Sequence, residues 1–164
     1  RRPDIRFLVP LISRETRERF EAALYSEEAQ GLRLTILFGH SRAAIAASNA
    51  VLVASGTATL EVALHRKPMV ISYCMAPATW RIMQRMRYQP WVGLPNIIAG
   101  RFLVPELLQD DAVPENLAEG VLNALTDPCV RQRIPLHFGV MHRLLKRNAA
   151  ERAADAVLQC MNQN

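Results

Sequence analysis

Residues 50–73 read AVLVASGTATLEVALHRKPMVISY, and this stretch decides the fold class. Two short and almost wholly apolar runs, AVLVA and PMVISY, flank a segment that we expect to be helical from about Thr57 to His65. Short continuous apolar runs indicate strands that are buried on both faces, and strands alternating with helices form parallel sheets. The stretch therefore predicts a strand, a tight turn, a helix and a second strand in one parallel sheet.

The same alternation of strands and helices precedes and follows this stretch. Ser13 is a suitable cap for the first helix, and Gly31 follows its end. Two earlier strands and five further helices are expected, the strands at Ile5–Pro10 and Leu34–Phe38 and the helices at Ser13–Gln30, Ser41–Ala47, Pro77–Tyr88, Pro114–Leu125 and about Asn148–Met161. Residues 91–109 have the composition of a loop. The fold class is α/β, a Rossmann-like doubly wound parallel sheet with additional C-terminal helices.

The composition narrows the class of partner. The chain has 164 residues, 50% of them hydrophobic, which suits one domain with its own core. Its net charge of +5 favours anionic partners such as phosphorylated metabolites, acidic lipid or nucleic acid. Most of the cations are arginines, which suit bidentate phosphate contacts. Ordinary surface solvation explains the same charge, and both interpretations stay open.

The cysteines and the polar residues exclude several further classes. The three cysteines are far apart and have no metal-ligand spacing, so we expect a reducing compartment, no disulfide framework and no metal. The most apolar stretch, Ile45–Leu64, contains Asn49, Glu61 and several hydroxyl residues, too many polar groups for a membrane span. A soluble chain that still touches a bilayer surface is compatible with this pattern.

The turn after the third strand has the features of an anion site. The first N–H groups of a helix lack internal acceptors and carry the positive end of the helix dipole, so they favour phosphate. Gly56 lets a ligand approach the backbone closely, and Ser55, Thr57 and Thr59 bring hydroxyl groups to the same turn. Neither a Walker motif nor a complete G-x-G-x-x-G motif is present.

Glu61 suggests what else the turn holds. A capping box needs Ser or Thr three residues before the glutamate, and that position is Ala58. Glu61 therefore lacks its usual structural role one turn below the helix start, where its carboxylate is suited to accept two sugar hydroxyls. This pattern suggests a nucleotide with its diphosphate at the turn and its ribose on Glu61. An ordinary turn followed by a solvated glutamate remains the alternative.

Three further segments carry candidates, each with an alternative. Asn96, in VGLPNIIAGR, is suited to a sugar or a base, or is a plain loop asparagine. Glu106 and Gln109, in VPELLQ, are expected on one face of a short helix, as ligand contacts or as solvated residues. The helix at Pro77–Tyr88, with Trp80 and an Arg81/Arg85 pair, is either a membrane-surface face or a core helix with a basic stripe.

Taken together, ASGTATLEVAL, KPMVISY and VGLPNIIAGRFLVPELLQ resemble the C-terminal part of lipid-A-disaccharide synthases. The resemblance runs from IRFLVP almost to the end of the chain. These enzymes are glycosyltransferases of the B-type fold, which has two Rossmann-like domains. The resemblance implies that residues 1–164 form a single donor-binding domain for a nucleotide sugar.

The resemblance also implies a reaction and a set of contacts. Diacylglucosamine would pass from a UDP-linked donor to diacylglucosamine 1-phosphate, giving lipid A disaccharide 1-phosphate and UDP without a cofactor. The resemblance assigns Ser55, Gly56, Thr57 and Ala58 to the diphosphate and Glu61 to the ribose. It adds four donor-cleft candidates, Asn96, Arg101, Glu106 and Gln109. Fixed N–H donors and a helix dipole are able to stabilise the leaving diphosphate without a metal.

The sequence departs from the family pattern at its start. A strand and a Gly-Ser-Arg loop are expected before IRFLVP, and the acceptor-binding domain, where the general base is expected, is not in the chain. The resemblance therefore predicts a truncated and inactive donor half of a cytoplasmic enzyme, peripheral on the bacterial inner membrane and able to oligomerise. The alternatives are a non-catalytic nucleotide- or phosphate-binding α/β domain and a nucleic-acid-binding domain. The low aromatic content and the lack of a binding motif disfavour nucleic acid.

Overall fold

The computed structural model describes Arg2, residues 4–26, residues 31–86 and residues 88–161. The chain divides into two compact units, Arg1–Asn49 and Ala50–Asn164. All of the candidate site residues belong to the second unit.

The first unit contains two parallel strands and two helices: β1 (Arg6–Leu11), α1 (Arg14–Ser26), β2 (Arg33–Phe38) and α2 (Ser41–Ala47). In the register of β1 and β2, Arg6 is opposite Arg33. Both predicted strands and both predicted helices are confirmed, although the expected end of α1 at 27–30 lies outside the described residues. Ser13 caps α1 as predicted, because its Oγ accepts a 3.2 Å hydrogen bond from the N–H of Thr16.

The second unit is built around three parallel strands in the order β3-β4-β5. The elements in chain order are β3 (Val51–Ala54), α3 (Ala58–Leu64), β4 (Met69–Tyr73), α4 (Pro77–Met86), α5 (Leu94–Ala99), β5 (Glu106–Leu108), a 3-10 turn (Gln109–Asp111), α6 (Pro114–Thr126), α7 (Pro128–Leu145) and α8 (Ala149–Met161). Val51 is opposite Met69, and Ile71 is opposite Glu106. The α/β class with a parallel sheet and C-terminal helices is confirmed.

The core of the second unit surrounds β4. Met69, Val70 and Ile71 are each at most 1% exposed. Because successive side chains of a strand point to opposite faces, this burial shows that both faces of the sheet are covered. Fully buried residues of α3 and α7, among them Val62 and Phe138, complete the core.

Two parts of the second unit differ from the sequence prediction. Residues 91–109 are not a loop, since they contain α5 and β5. The helix α7 was not predicted at all, and its interior Pro135 is the reason, because proline removes a helical hydrogen bond. The start of α7 does carry a sequence signal: Asp127 caps it by accepting a 2.7 Å hydrogen bond from the N–H of Cys129. The Phe138 side chain, three residues after the proline, is fully buried, and its burial stabilises the helix against the core.

Candidate functional site

The candidate site lies at the carboxyl ends of the three strands of the second unit. Since β3, β4 and β5 are parallel, the turn after β3, the residues after β4 and Gln109 after β5 share one edge of the sheet. The N–H of Ser55 donates a 3.1 Å hydrogen bond to the carbonyl of Ser72 and so holds the turn against β4. In open α/β sheets this is the edge at which ligands bind.

The turn between β3 and α3 presents unpaired backbone donors. Within the described part of the chain, the N–H groups of Gly56, Thr57 and Ala58 have no acceptor, and all three residues are exposed. Gly56 has a φ of 148°, although a Cβ at this position would meet no atom within 4 Å. The backbone conformation, rather than lack of space, therefore requires glycine in this turn. The three donors are available to an anion.

One hydroxyl that the sequence assigned to the turn is not available to a ligand. Thr59 is fully buried, and its Oγ1 donates a 2.7 Å hydrogen bond to the carbonyl of Gly56. The same carbonyl accepts the N–H of Thr59 at 3.1 Å. Thr59 therefore stabilises the turn from the inside, which corrects the prediction that its hydroxyl faces the ligand.

Glu61 lies in the first turn of α3 and is half-buried. The N-cap residue Thr57 makes no side-chain capping hydrogen bond, so the capping box is absent, as the sequence indicated. No hydrogen bond or ion pair within the described residues involves the Glu61 carboxylate. The carboxylate is therefore free to accept hydrogen bonds from the hydroxyl groups of a ligand at the neighbouring turn.

Asn96 is fully buried and bonded on both sides of its amide. Its Oδ1 accepts hydrogen bonds from the N–H groups of Leu103 at 2.8 Å and Val104 at 2.9 Å. Its Nδ2 donates to the carbonyl of Val104 at 2.9 Å and to Glu106 Oε1 at 2.8 Å. Both amide hydrogens and both acceptor positions are thus used within the chain. Asn96 shapes the segment between α5 and β5, so any effect on a ligand acts through that segment.

Glu106 completes this network at the start of α5. Its Oε2 accepts the N–H of Val92 at 2.8 Å, and its Oε1 accepts the N–H of Gly93 at 2.9 Å as well as Asn96 Nδ2. A Cβ on Gly93 would lie 2.8 Å from Glu106 Oε1 and would also overlap Ile71, so close approach explains this glycine. The carboxylate satisfies the backbone N–H donors at the start of α5, where the helix dipole also favours negative charge.

Gln109 binds the segment that follows β4. Its Oε1 accepts the N–H of Met75 at 2.7 Å, and its Nε2 donates to the carbonyl of Met75 at 3.0 Å. Glu106 is the first residue of β5, whereas Gln109 begins the 3-10 turn with a φ of 51°. The prediction that these two residues share one face of a helix is therefore wrong. The short strand β5, formed by pairing with β4, takes the place of that helix.

Arg101 lies apart from the turn between β3 and α3 in the topology. It is exposed on the connection into the amino end of β5, whereas that turn follows the carboxyl end of β3. Its Nη2 is 3.0 Å from His137 Nδ1 on α7, a contact between residues 36 positions apart that no local pattern indicates. Partial burial, together with the charges of Arg101 and Arg133, lowers the pKa of His137. A neutral His137 is the form that accepts a hydrogen bond from arginine.

The second unit has a Rossmann-like α/β architecture, with parallel strands, helices and, among the described residues, three N–H groups without an acceptor at the carboxyl edge. Residues 1–157 match the family model described as lipid-A-disaccharide synthetase. The chain therefore belongs to the lipid-A-disaccharide synthetase family, and the resemblance found in the sequence is confirmed.

Three relatives illustrate the similarity. The chain is 57% identical to the lipid-A-disaccharide synthase of Methylobacillus flagellatus, over 96% of this chain and 42% of the relative. It is 49% identical to that of Dechloromonas aromatica, over 98% and 42%, and 52% identical to that of Azoarcus sp., over 96% and 40%. The chain thus spans about two fifths of the length of these relatives.

Among the described residues, no helix has both the length and the apolar character needed to cross a membrane.

Proposed function

We propose that this chain is the donor-binding part of a glycosyltransferase of lipid A biosynthesis. The donor is a UDP-linked diacylglucosamine and the acceptor is diacylglucosamine 1-phosphate. The products are lipid A disaccharide 1-phosphate and UDP. Family membership over residues 1–157 supports the reaction class. The observation that carries the proposal for this part of the enzyme is the exposed turn, where three N–H donors and the neighbouring Glu61 carboxylate have no partner among the described residues.

The turn is suited to the chemistry of a leaving diphosphate. In this proposal the N–H groups of Gly56, Thr57 and Ala58, with the hydroxyl of Ser55, bind the diphosphate oxygens. Negative charge grows on these oxygens as the sugar leaves, and fixed donors stabilise that charge without having to reorganise. Glu61, one helical turn further on, accepts the ribose hydroxyls. A general base for the acceptor hydroxyl is contributed from outside these 164 residues, so the isolated chain is expected to bind donor without transferring the sugar.

Calorimetric titration of UDP into the purified chain, beside Glu61→Ala, tests this proposal. Loss of charge-assisted hydrogen bonds predicts roughly tenfold or greater weakening of UDP affinity in the variant. Glu115→Ala, at an exposed glutamate in the first turn of α6, is the matched control and should bind UDP like the unaltered chain. A folded chain without UDP affinity would contradict the proposal.

A second titration, with inorganic pyrophosphate, distinguishes the alternative function. A non-catalytic phosphate-binding domain would bind pyrophosphate and UDP alike and would be indifferent to Glu61→Ala. A preference for UDP that depends on Glu61 supports the nucleotide-sugar donor.

We also propose that the chain is cytoplasmic and associates peripherally with an anionic membrane surface through α4. Arg81 and Arg85 are exposed on this helix, and Ile82 is 60% exposed beside them. Cations next to exposed apolar side chains suit the boundary between lipid headgroups and acyl chains. The basic face disfavours a second copy of itself as the occupant, because like charges would meet.

Vesicle flotation tests the membrane proposal. The chain should float with vesicles containing phosphatidylglycerol, and Arg81→Glu/Arg85→Glu should reduce the bound fraction. Vesicles of phosphatidylcholine alone are the control for charge. Recovery of the unaltered chain in the soluble fraction with the anionic vesicles would contradict the proposal.

A further inference from the structure

Gln109 makes a two-point contact with one backbone residue across the sheet edge. The N–H of Met75 donates to its Oε1 at 2.7 Å, and its Nε2 donates to the carbonyl of Met75 at 3.0 Å. The side-chain amide thereby pairs with Met75 in the way that one strand pairs with another. The backbone pairing of β4 with β5 ends at Tyr73 and Leu108, so the amide extends the connection beyond the last strand residues.

The backbone of Gln109 is held in an uncommon conformation. Its φ of 51° lies in the left-handed region, which residues other than glycine seldom adopt. Two backbone contacts accompany it, because its carbonyl accepts the N–H of Ala112 at 3.0 Å and lies 3.8 Å from the Sγ of Cys74. Backbone strain of this kind persists where the surrounding contacts determine it, and it concentrates at functional sites.

The segment held by Gln109 borders the candidate site. Ser72 accepts the N–H of Ser55 and so lies beside the anion-accepting turn, and Met75 follows three residues later at the same edge. The residues Cys74, Met75 and Ala76 form the connection from β4 to α4. This connection therefore lies between the turn after β3 and the end of β5.

We propose that Gln109 is a positioning residue that fixes the connection 74–76 as one wall of the nucleotide site. The inference rests on the donor-binding function proposed above. Gln109 acts through Met75, because both ends of its amide are engaged there. Removing the two hydrogen bonds leaves the wall without its attachment to β5, and the nucleotide then has to order it on binding. Gln109 therefore contributes to affinity without touching the ligand.

Gln109→Met and Gln109→Glu separate positioning from a merely structural role. The methionine keeps the length of the side chain and removes both hydrogen bonds, whereas the glutamate keeps the acceptor for the Met75 N–H. UDP affinity is measured by calorimetry, and the free energy of unfolding by urea titration. Gln132→Met, at an exposed glutamine of α7, is the matched control.

The proposal predicts that Gln109→Met weakens UDP binding by about tenfold, that Gln109→Glu has an intermediate effect, and that Gln132→Met has none. If Gln109→Met fails to fold, Gln109→Glu decides by titration with uridine, which has no phosphate for the added carboxylate to repel: weaker uridine binding supports the positioning role, and unchanged binding overturns it. Stability that falls while UDP affinity stays within about twofold would overturn the positioning role and leave the donor-binding function intact. If the unaltered chain binds no UDP, both proposals fail together.

Discussion

The side-chain amide of Asn96 lies 2.8 Å from Glu106 Oε1, and this hydrogen bond joins the first turn of α5 to the first residue of β5. Asn96 is fully buried, and Glu106 also accepts the N–H groups of Val92 and Gly93. This pair holds a short helix against a short strand. Neither element is long enough, or has enough intrinsic propensity, to be stable alone. The conformation of residues 92–106 therefore depends on these two side chains.

Glu106→Ala should destabilise the chain by about 1–3 kcal/mol, because the substitution leaves the N–H groups of Val92 and Gly93 and one amide hydrogen of Asn96 without an acceptor. Glu106→Gln should cost less, since one side-chain oxygen remains. Urea unfolding measures both. The exposed Glu115→Ala should change the free energy of unfolding by no more than about 0.5 kcal/mol. Equal effects at Glu106 and Glu115 would contradict the network.

At Asn96, Asp should be no better tolerated than Ala. Asn96→Ala removes all four hydrogen bonds and should destabilise by roughly 3 kcal/mol. Asn96→Asp keeps the acceptor for Leu103 and Val104 but places a second carboxylate against Glu106, where like charges repel. Urea midpoints of the two variants provide the comparison. An aspartate variant as stable as the unaltered chain would show that the Nδ2 donors are dispensable.

Two glycine substitutions should change the stability of the chain in opposite directions. Gly56→Ala forces a side chain into a φ of 148° and should destabilise by about 1–3 kcal/mol, although space is free around the Cβ position. Gly139→Ala, within α7, places the Cβ at an ordinary 3.6 Å from Arg66 Cζ. Alanine is the better helix former, so this variant should gain up to about 1 kcal/mol. Thermal melting of both variants checks the two signs. A neutral Gly56→Ala would remove the backbone argument for the turn.

Stability should fall as the pH is lowered through the ordinary pKa of histidine. Burial, Arg101 and Arg133 lower the pKa of His137 from its usual 6.5. On acidification, His137 takes up a proton in the unfolded chain first, while it stays neutral in the folded chain. The free energy of unfolding therefore decreases until His137 in the folded chain is also protonated. Urea midpoints at about pH 8 and about pH 5.5 should differ less in His137→Gln than in the unaltered chain. An identical pH dependence in the two proteins would show that His137 is not responsible.

The elements that the sequence predicted correctly are those whose burial leaves a pattern in a few consecutive residues. The run PMVISY identifies β4 because a strand covered on both faces needs an apolar side chain at each position, and Met69, Val70 and Ile71 are indeed buried. The turn at Gly56 is visible for the same local reason, since a glycine between a strand and a helix marks a special backbone conformation. The sequence also contains the motifs that establish the family.

The short elements α5 and β5 and the helix α7 could not be predicted, because their stability comes from distant partners. Asn96 and Glu106 look like loop residues until their partners are known. Pro135 disfavours α7, whereas burial of Phe138 in the core favours it. The candidate site divides in the same way. Sequence alone determined the strand, the glycine turn and the glutamate, since local spacing encodes them. Only the tertiary structure decided that Thr59 points inward, that the Asn96 amide is fully hydrogen-bonded within the chain and that Gln109 binds Met75. These roles depend on hydrogen bonds whose partners come together only when the chain folds.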